Sequence, residues 1–282
     1  MAGPVKKPNP KEVFMNEIKS WLTILSLLVI LALSGCASTA SQPTAAASTG
    51  EGAGREKNIA TAEATRNVGE AYLVEGNLIA ALRELKKAEQ LNPDDHITQY
   101  DLGLVYMSRE RYDQAIQHFE RAVQLKPDYA PAMNSLGNAY AAQQDWDRAI
   151  EAYEKIIEDA FYGTPYFALS NLGLAYYHKK SFAQAEKYFL EALKLSPDFV
   201  QALGGLGMTY NAMGRYSEAV VRLSKAVKKD PKFAPLHLQL GKAYRGLNDK
   251  RSAQAEFQQV VQLAPDSPLA LEARRELTKL RP

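Results

Sequence analysis

Between Ala62 and Ser267 the small, aliphatic and aromatic positions of this 282-residue chain recur in one register. Glycine stands at 69, 103, 137, 173, 207 and 241, at steps of 34, 34, 36, 34 and 34 residues. Tyr72, Tyr106, Tyr140, Tyr176, Tyr210 and Tyr244 follow three residues later; Ala81, Ala115, Ala149, Ala185, Ala219 and Ala253 follow twelve later. A small or aliphatic residue comes at nineteen (Ala88, Ala122, Ile156, Ala192, Ala226, Val260), and Pro93, Pro127, Pro197, Pro231 and Pro265 at twenty-four. A fixed period of this length marks stacked repeats, each too small to bury its own apolar face.

The pattern predicts two antiparallel helices per unit. Leu78, Tyr112, Trp146, Phe182 and Tyr216 open the second helix, and Asn77, Asp145, Ser181 and Asp249 are its expected caps. The prolines lie just beyond its end. Glycine inside a helix costs about 1 kcal/mol against alanine, so six in register need close helix approach, with the tyrosine expected beside them. The register resembles the tetratricopeptide repeat. The fold expected is all-α: a right-handed solenoid of six repeats over residues 58–267, closed by a capping helix over 268–282. In that cap Leu269, Leu271, Ala273, Leu277 and Leu280 are expected inward, with Glu272, Arg274, Arg275 and Glu276 solvated; a partner-binding helix is the alternative.

A solenoid of helix pairs offers a concave surface lined by the first helix of each unit. Positions −6, −3, +1 and +4 from each glycine share a stripe apart from the core positions −1 and +3. Unit one shows Arg66, Glu70 and Leu73; unit two shows Tyr100, Leu104 and Met107. Unit three is small and amide-rich (Pro131, Asn134, Asn138, Ala141), and unit four carries Phe167, Ser170, Leu174 and Tyr177. Unit five is cut away at Gly204, beside Met208 and Asn211, and unit six turns basic with Lys242 and Arg245. Aromatic walls flanking an asparagine floor suit a bound peptide, with packing against the next unit as the competing role for the same side chains. The glycine pair 204–205 calls for close approach of a ligand or a neighbouring helix. Some tetratricopeptide proteins clamp a peptide carboxylate with two lysines and two asparagines; Glu70 stands where an asparagine is needed, and Asn134 and Asn138 lack lysine partners.

The first end of the chain is different. Trp21 to Leu33 is an uncharged run of thirteen residues, too short for a comfortable membrane span of about 20, and Lys6, Lys7, Lys11 and Lys19 precede it. Leu33-Ser34-Gly35-Cys36 resembles a bacterial lipobox, with residues 1–35 as the leader and either Met1 or Met15 as the start. The alternatives are an ordinary signal peptide or a signal anchor. Lipidated, Cys36 is the membrane anchor, and this sole cysteine leaves no thiol for disulfide or metal chemistry. Residues 36–57 are then the lipidated cysteine and a disordered tether, small, polar and almost uncharged up to Gly54. Ala37 is not the aspartate that resembles an inner-membrane retention signal, so outer-membrane sorting is expected, with the solenoid facing the periplasm of a Gram-negative cell.

Of 34 basic and 32 acidic residues, four lysines and two glutamates precede Cys36, which leaves a mature chain without net charge. That balance argues against nucleic acid as a partner. His96, His118, His178 and His237 fall in different units and form no ligand pair, and "ALGGLGMTY" (202–210) follows no strand, as a phosphate loop would. No catalytic constellation is found. The expectation is a non-enzyme with no metal, no small-molecule substrate and no cofactor beyond lipid on Cys36.

Unit three breaks the register: two extra residues, and Phe161 in place of proline, in "EDAFYGTPYFALSNLGLAYY". Phe161 and Tyr162 are therefore a candidate contact loop, with a neutral insertion as the alternative. Together with the lipobox, the polar tether and "MNSLGNAYAAQQDWDRAIEAYEKII", this break resembles the pilotin-type lipoproteins of type IV pilus biogenesis, the PilF/PilW family. The resemblance implies a lipoprotein that binds secretin subunits and helps them reach or oligomerise in the outer membrane. The groove residues expected to hold the client are Tyr100, Leu104, Met107, Asn134, Asn138, Phe167, Leu174, Tyr177, Gly204 and Met208. The alternative is a scaffold lipoprotein for another envelope complex, such as peptidoglycan or polysaccharide machinery.

Overall fold

The structure, a computed structural model, describes residues 49–157 and 163–280. The described residues hold thirteen helices and no strand. Unit one is α1 (Thr49–Val74) and α2 (Leu78–Leu91); unit two is α3 (His96–Ser108) and α4 (Tyr112–Leu125); unit three is α5 (Ala130–Ala142) and α6 (Trp146–Ile157). Unit four is α7 (Pro165–His178) and α8 (Phe182–Leu195), unit five α9 (Val200–Ala212) and α10 (Tyr216–Lys229), unit six α11 (Ala234–Gly246) and α12 (Lys250–Leu263). The last helix is α13 (Pro268–Leu280). From unit two onward each first helix touches the first helix of the next unit, whereas among the described residues no two second helices meet. The first helices therefore line the inner face.

Each register glycine meets a large side chain sixteen residues on, from the second helix of its own unit. A Cβ on Gly69 would lie 2.7 Å from Leu85, on Gly103 2.4 Å from Phe119, and on Gly137 2.4 Å from Tyr153. Gly173, Gly207 and Gly241 stand in the same relation to Phe189, Leu223 and Phe257. The tyrosines at +3 do something else than fill that contact. Tyr140 OH donates to Glu120 (2.6 Å), Tyr176 OH to Glu154 (3.3 Å) and Tyr210 OH to Glu186 (3.0 Å), each on the second helix of the preceding unit. They tie unit to unit.

The turn inside every unit has a left-handed residue seven after the glycine: Gly76, Glu110, Gln144, Lys180, Gly214 and Asn248, with φ between 56° and 77°. The next amide returns to the +3 carbonyl, as Arg111 N does to Tyr106 O at 2.9 Å, which closes the first helix. Asn77, Asp145 and Asp249 accept from Ala80 N, Arg148 N and Ser252 N as expected of caps. Ser181 forms no side-chain cap.

Three expectations change at the ends. Helix α1 begins at Thr49, so residues 49–57 are helical where a disordered tether was expected; propagation from a packed helix is far easier than nucleation. In α13, Leu269, Leu277 and Leu280 pack on the last unit and Ala273 is buried, but Leu271 is 56% exposed. Glu276, expected in solvent, is 7% exposed and is held by Arg245 and by Lys279 (2.8 Å). Cys36, the lipobox, Phe161 and Tyr162 lie outside the described residues.

Candidate protein-binding groove

The inner face has three zones. The first is an apolar cavity of about 550 Å³ between α7, α9 and α11. Leu174, Gly204 and Met208 line it, as do Phe199, Val200, Phe233, Pro235 and Leu236, with Gln201, Gln239 and Asp230 as its polar members. The two glycines differ. A Cβ on Gly205 would lie 2.3 Å from the Phe189 ring, so Gly205 serves helix packing; one on Gly204 would meet only the Leu236 Cδ2 methyl, at 2.8 Å. Gly204 opens the wall.

Phe167, 41% exposed, stands beside the cavity in a cluster with Tyr166 (4.6 Å) and Phe199 (5.0 Å). Phe199 and Phe233 immediately precede α9 and α11, and the inner-face stripe omitted them. The signal was present: Tyr129, Phe199 and Phe233 each stand two residues after the inter-unit proline. Tyr177 packs on Phe182 (5.8 Å) beside its own turn and does not line the cavity, and burial pushes its phenol up.

The second zone is a row of amides. Asn171 Nδ2 donates to Asn134 Oδ1 (3.1 Å) and to Asn138 Oδ1 (3.3 Å), and Gln201 Nε2 donates to Asn171 Oδ1 (2.9 Å). Tyr153 OH also donates to Asn138 Oδ1, at 2.7 Å. The row crosses units three, four and five and ends at Gln201, a cavity residue. Asn171 sits two residues before the glycine, at a position the stripe assigned to neither face.

The third zone is aromatic and acidic. Tyr100 packs on Phe119 (5.9 Å) and meets Tyr129 edge-on (5.4 Å), while Leu104 and Met107 lean on the unit-three core. These three form a closed wall rather than open pockets. Asp101, the residue after Tyr100, is buried, and the charges of Glu70 and Arg66 of α1 act on its carboxyl. Burial, and then the Glu70 charge, raise its carboxyl from 3.8 to about 7. Burial also pushes the Tyr129 phenol up to about 12.

Each histidine ring has a partner within the solenoid. His118 Nδ1 pairs with Gln99 (2.7 Å), His237 with Glu256 (2.7 Å) and the Pro231 carbonyl (3.0 Å), while His178 stacks on Trp146 and His96 meets Tyr129 edge-on. Among the described residues no three metal-ligating groups converge.

Tetratricopeptide-repeat models match residues 100–163, 134–198, 176–230 and 210–277, an unbroken run from 100 to 277 over the helix pairs described above. The chain belongs to the tetratricopeptide-repeat family. No curated protein sequence matches it. Solved tetratricopeptide structures do. PilW, a widely conserved type IV pilus biogenesis factor, is 21% identical with a TM-score of 0.69, over 75% of this chain and 97% of PilW. Pseudomonas aeruginosa PilF is 22% identical with a TM-score of 0.67, over 79% of this chain and 99% of PilF. YrrB, a tetratricopeptide protein with an unusual peptide-binding site, is 21% identical with a TM-score of 0.51, over 68% of this chain and 97% of YrrB. At these identities the likeness is one of fold.

Proposed function

We propose that this tetratricopeptide scaffold is a lipid-anchored outer-membrane assembly factor whose groove holds a segment of a secretin subunit while the channel is built. The observation that carries the proposal is the cavity between α7, α9 and α11, continuous through Gln201 with the amide row. An apolar pocket of about 550 Å³ takes one or two bulky side chains, and the neighbouring amides suit the backbone of the same segment. The function is binding, not catalysis. The type IV pilus client is favoured by the fold likeness to PilW and PilF together with the lipobox at Cys36.

The test uses cells lacking the protein, with membranes fractionated and probed for the heat- and detergent-resistant secretin multimer. Loss of the multimer, or its shift to the inner membrane, is expected, and Cys36→Ala should release the protein from the membrane with the same defect. Normal secretin assembly would discard this client in favour of another envelope complex.

A further inference from the structure

The cavity between α7, α9 and α11 is lined almost wholly by apolar side chains, and its three polar members are not equally committed. Gln201 Nε2 donates to Asn171 Oδ1 (2.9 Å), and the Gln239 carbonyl accepts from Asn211 Nδ2 (2.9 Å). Asp230 is the only charged residue among the described residues that line the cavity. Its Oδ1 accepts the Lys232 backbone amide at 3.3 Å, and among the described residues no cation pairs with its carboxylate. Nearby cations are engaged elsewhere. Lys225 (3.1 Å) and Lys229 hold Asp198, while Lys242 (2.7 Å) and Arg245 of unit six hold Glu272 and Glu276 of α13.

The place of Asp230 in the fold argues against a stabilising job. It caps the C-terminal end of α10, where the last carbonyls gather negative charge and a carboxylate is disfavoured. The same position holds Asn92, Lys126, Ser196 and Ala264 in units one, two, four and six. Only in unit five, at the cavity, is it acidic among these ends.

We propose that the client segment seated in this cavity carries an arginine or lysine directly beside its bulky apolar side chain, and that Asp230 receives that cation. Consecutive Cα atoms lie about 3.8 Å apart, so an apolar side chain in the cavity leaves its neighbour at the wall. A basic head there supplies the carboxylate with the donors it lacks, and Phe233, 49% exposed, lines the same cavity beside it. The inference rests on the groove reading above and adds the chemistry of the client: apolar and basic residues side by side.

The experiment is a methyl NMR titration of the full chain in non-ionic detergent, read at Met208 and Leu236. The probes are acetyl-Ala-Arg-Phe-Ala-amide, acetyl-Ala-Phe-Arg-Ala-amide and the neutral citrulline counterpart of each. One arginine peptide should bind about threefold to tenfold more tightly than its counterpart at low salt, with the margin narrowing as salt is added. Asp230→Asn should erase that margin, leave citrulline-peptide affinity within about twofold, and leave the urea midpoint equal or higher. No arginine margin in either order, a margin that survives Asp230→Asn, or a lower urea midpoint for the variant would overturn the proposal. If citrulline peptides move Met208 and Leu236 but arginine adds nothing, only the role of Asp230 falls and the cavity reading stands. If no peptide moves either methyl, the cavity reading falls with it.

Discussion

Asp101→Asn is expected to stabilise the solenoid at neutral pH and above, and to remove a pH dependence that the wild type carries. The Asp101 carboxyl is raised from 3.8 to about 7 in the fold, first by burial and then by Glu70, against which Arg66 pulls down and Asp95 pushes up. A raised carboxyl pKa means that the fold prefers the protonated form. Its penalty is absent below about pH 4, grows as pH rises towards 7, and is constant above that. The gap between 3.8 and about 7 corresponds to roughly 4 kcal/mol at 1.36 kcal/mol per pK unit. That is a ceiling, because α1 can loosen from α3 before the whole solenoid pays it, and a realised gain of about 2 kcal/mol is reasonable. Asparagine has the shape of the protonated acid and keeps its neutrality. The assay is urea unfolding of both proteins between about pH 4.5 and 8. Curves that converge at low pH and diverge as pH rises, with the variant above, are expected. Parallel curves, or a variant less stable at about pH 8, would refute the reasoning.

Further outcomes follow from the same geometry. Gly204→Leu puts a side chain into the cavity wall, where its Cβ would meet only the Leu236 methyl, so if the cavity holds the proposed secretin segment its affinity should fall at least tenfold by a binding titration while the thermal midpoint holds. Gly103→Ala should destabilise by about 1–3 kcal/mol in denaturant unfolding despite better helix propensity, since its Cβ would lie 2.4 Å from the Phe119 ring. Lys180→Gly, at φ 60°, should stabilise by about 0.5–1 kcal/mol in the same assay by relieving a left-handed turn residue. Arg245→Ala should cost about 1–2 kcal/mol, since buried Glu276 keeps Lys279 and the Arg245 side chain is itself part exposed, and hydrogen exchange should rise first in α13.

The repeat was legible because its positions are fixed by contact. Gly103 cannot change while Phe119 presses on it, and Ala115 and Ala122 are fully buried at the helix seam. The partners of those glycines were not legible, since Leu85, Phe119, Tyr153 and Phe189 differ in size and chemistry while filling one role. The left-handed turn residue hid for the same reason: Glu110, Gln144 and Lys180 look like surface residues until φ is known. The helical stripe placed Leu174, Gly204 and Met208 on the face that holds the cavity. It could not tell that Tyr100, Leu104 and Met107 lean into the next unit, nor that Phe199 and Phe233, outside any helix, turn inward. In α13 the inward face was read correctly at Leu269, Ala273, Leu277 and Leu280 but not at Leu271, which is exposed, nor at Glu276, which Arg245 of α11 pairs with at a buried position. Long-range charge leaves no periodicity to read.

The central claim is that the client lies on the inner face at units four to six. Site-specific photo-crosslinking tests it most directly, with a photoreactive residue placed at Met208 in the cavity or at Val221, exposed on the second helix of unit five. The account predicts that secretin is captured from Met208 and not from Val221. Capture from Val221 alone, or from neither position in cells that assemble the secretin normally, would contradict it.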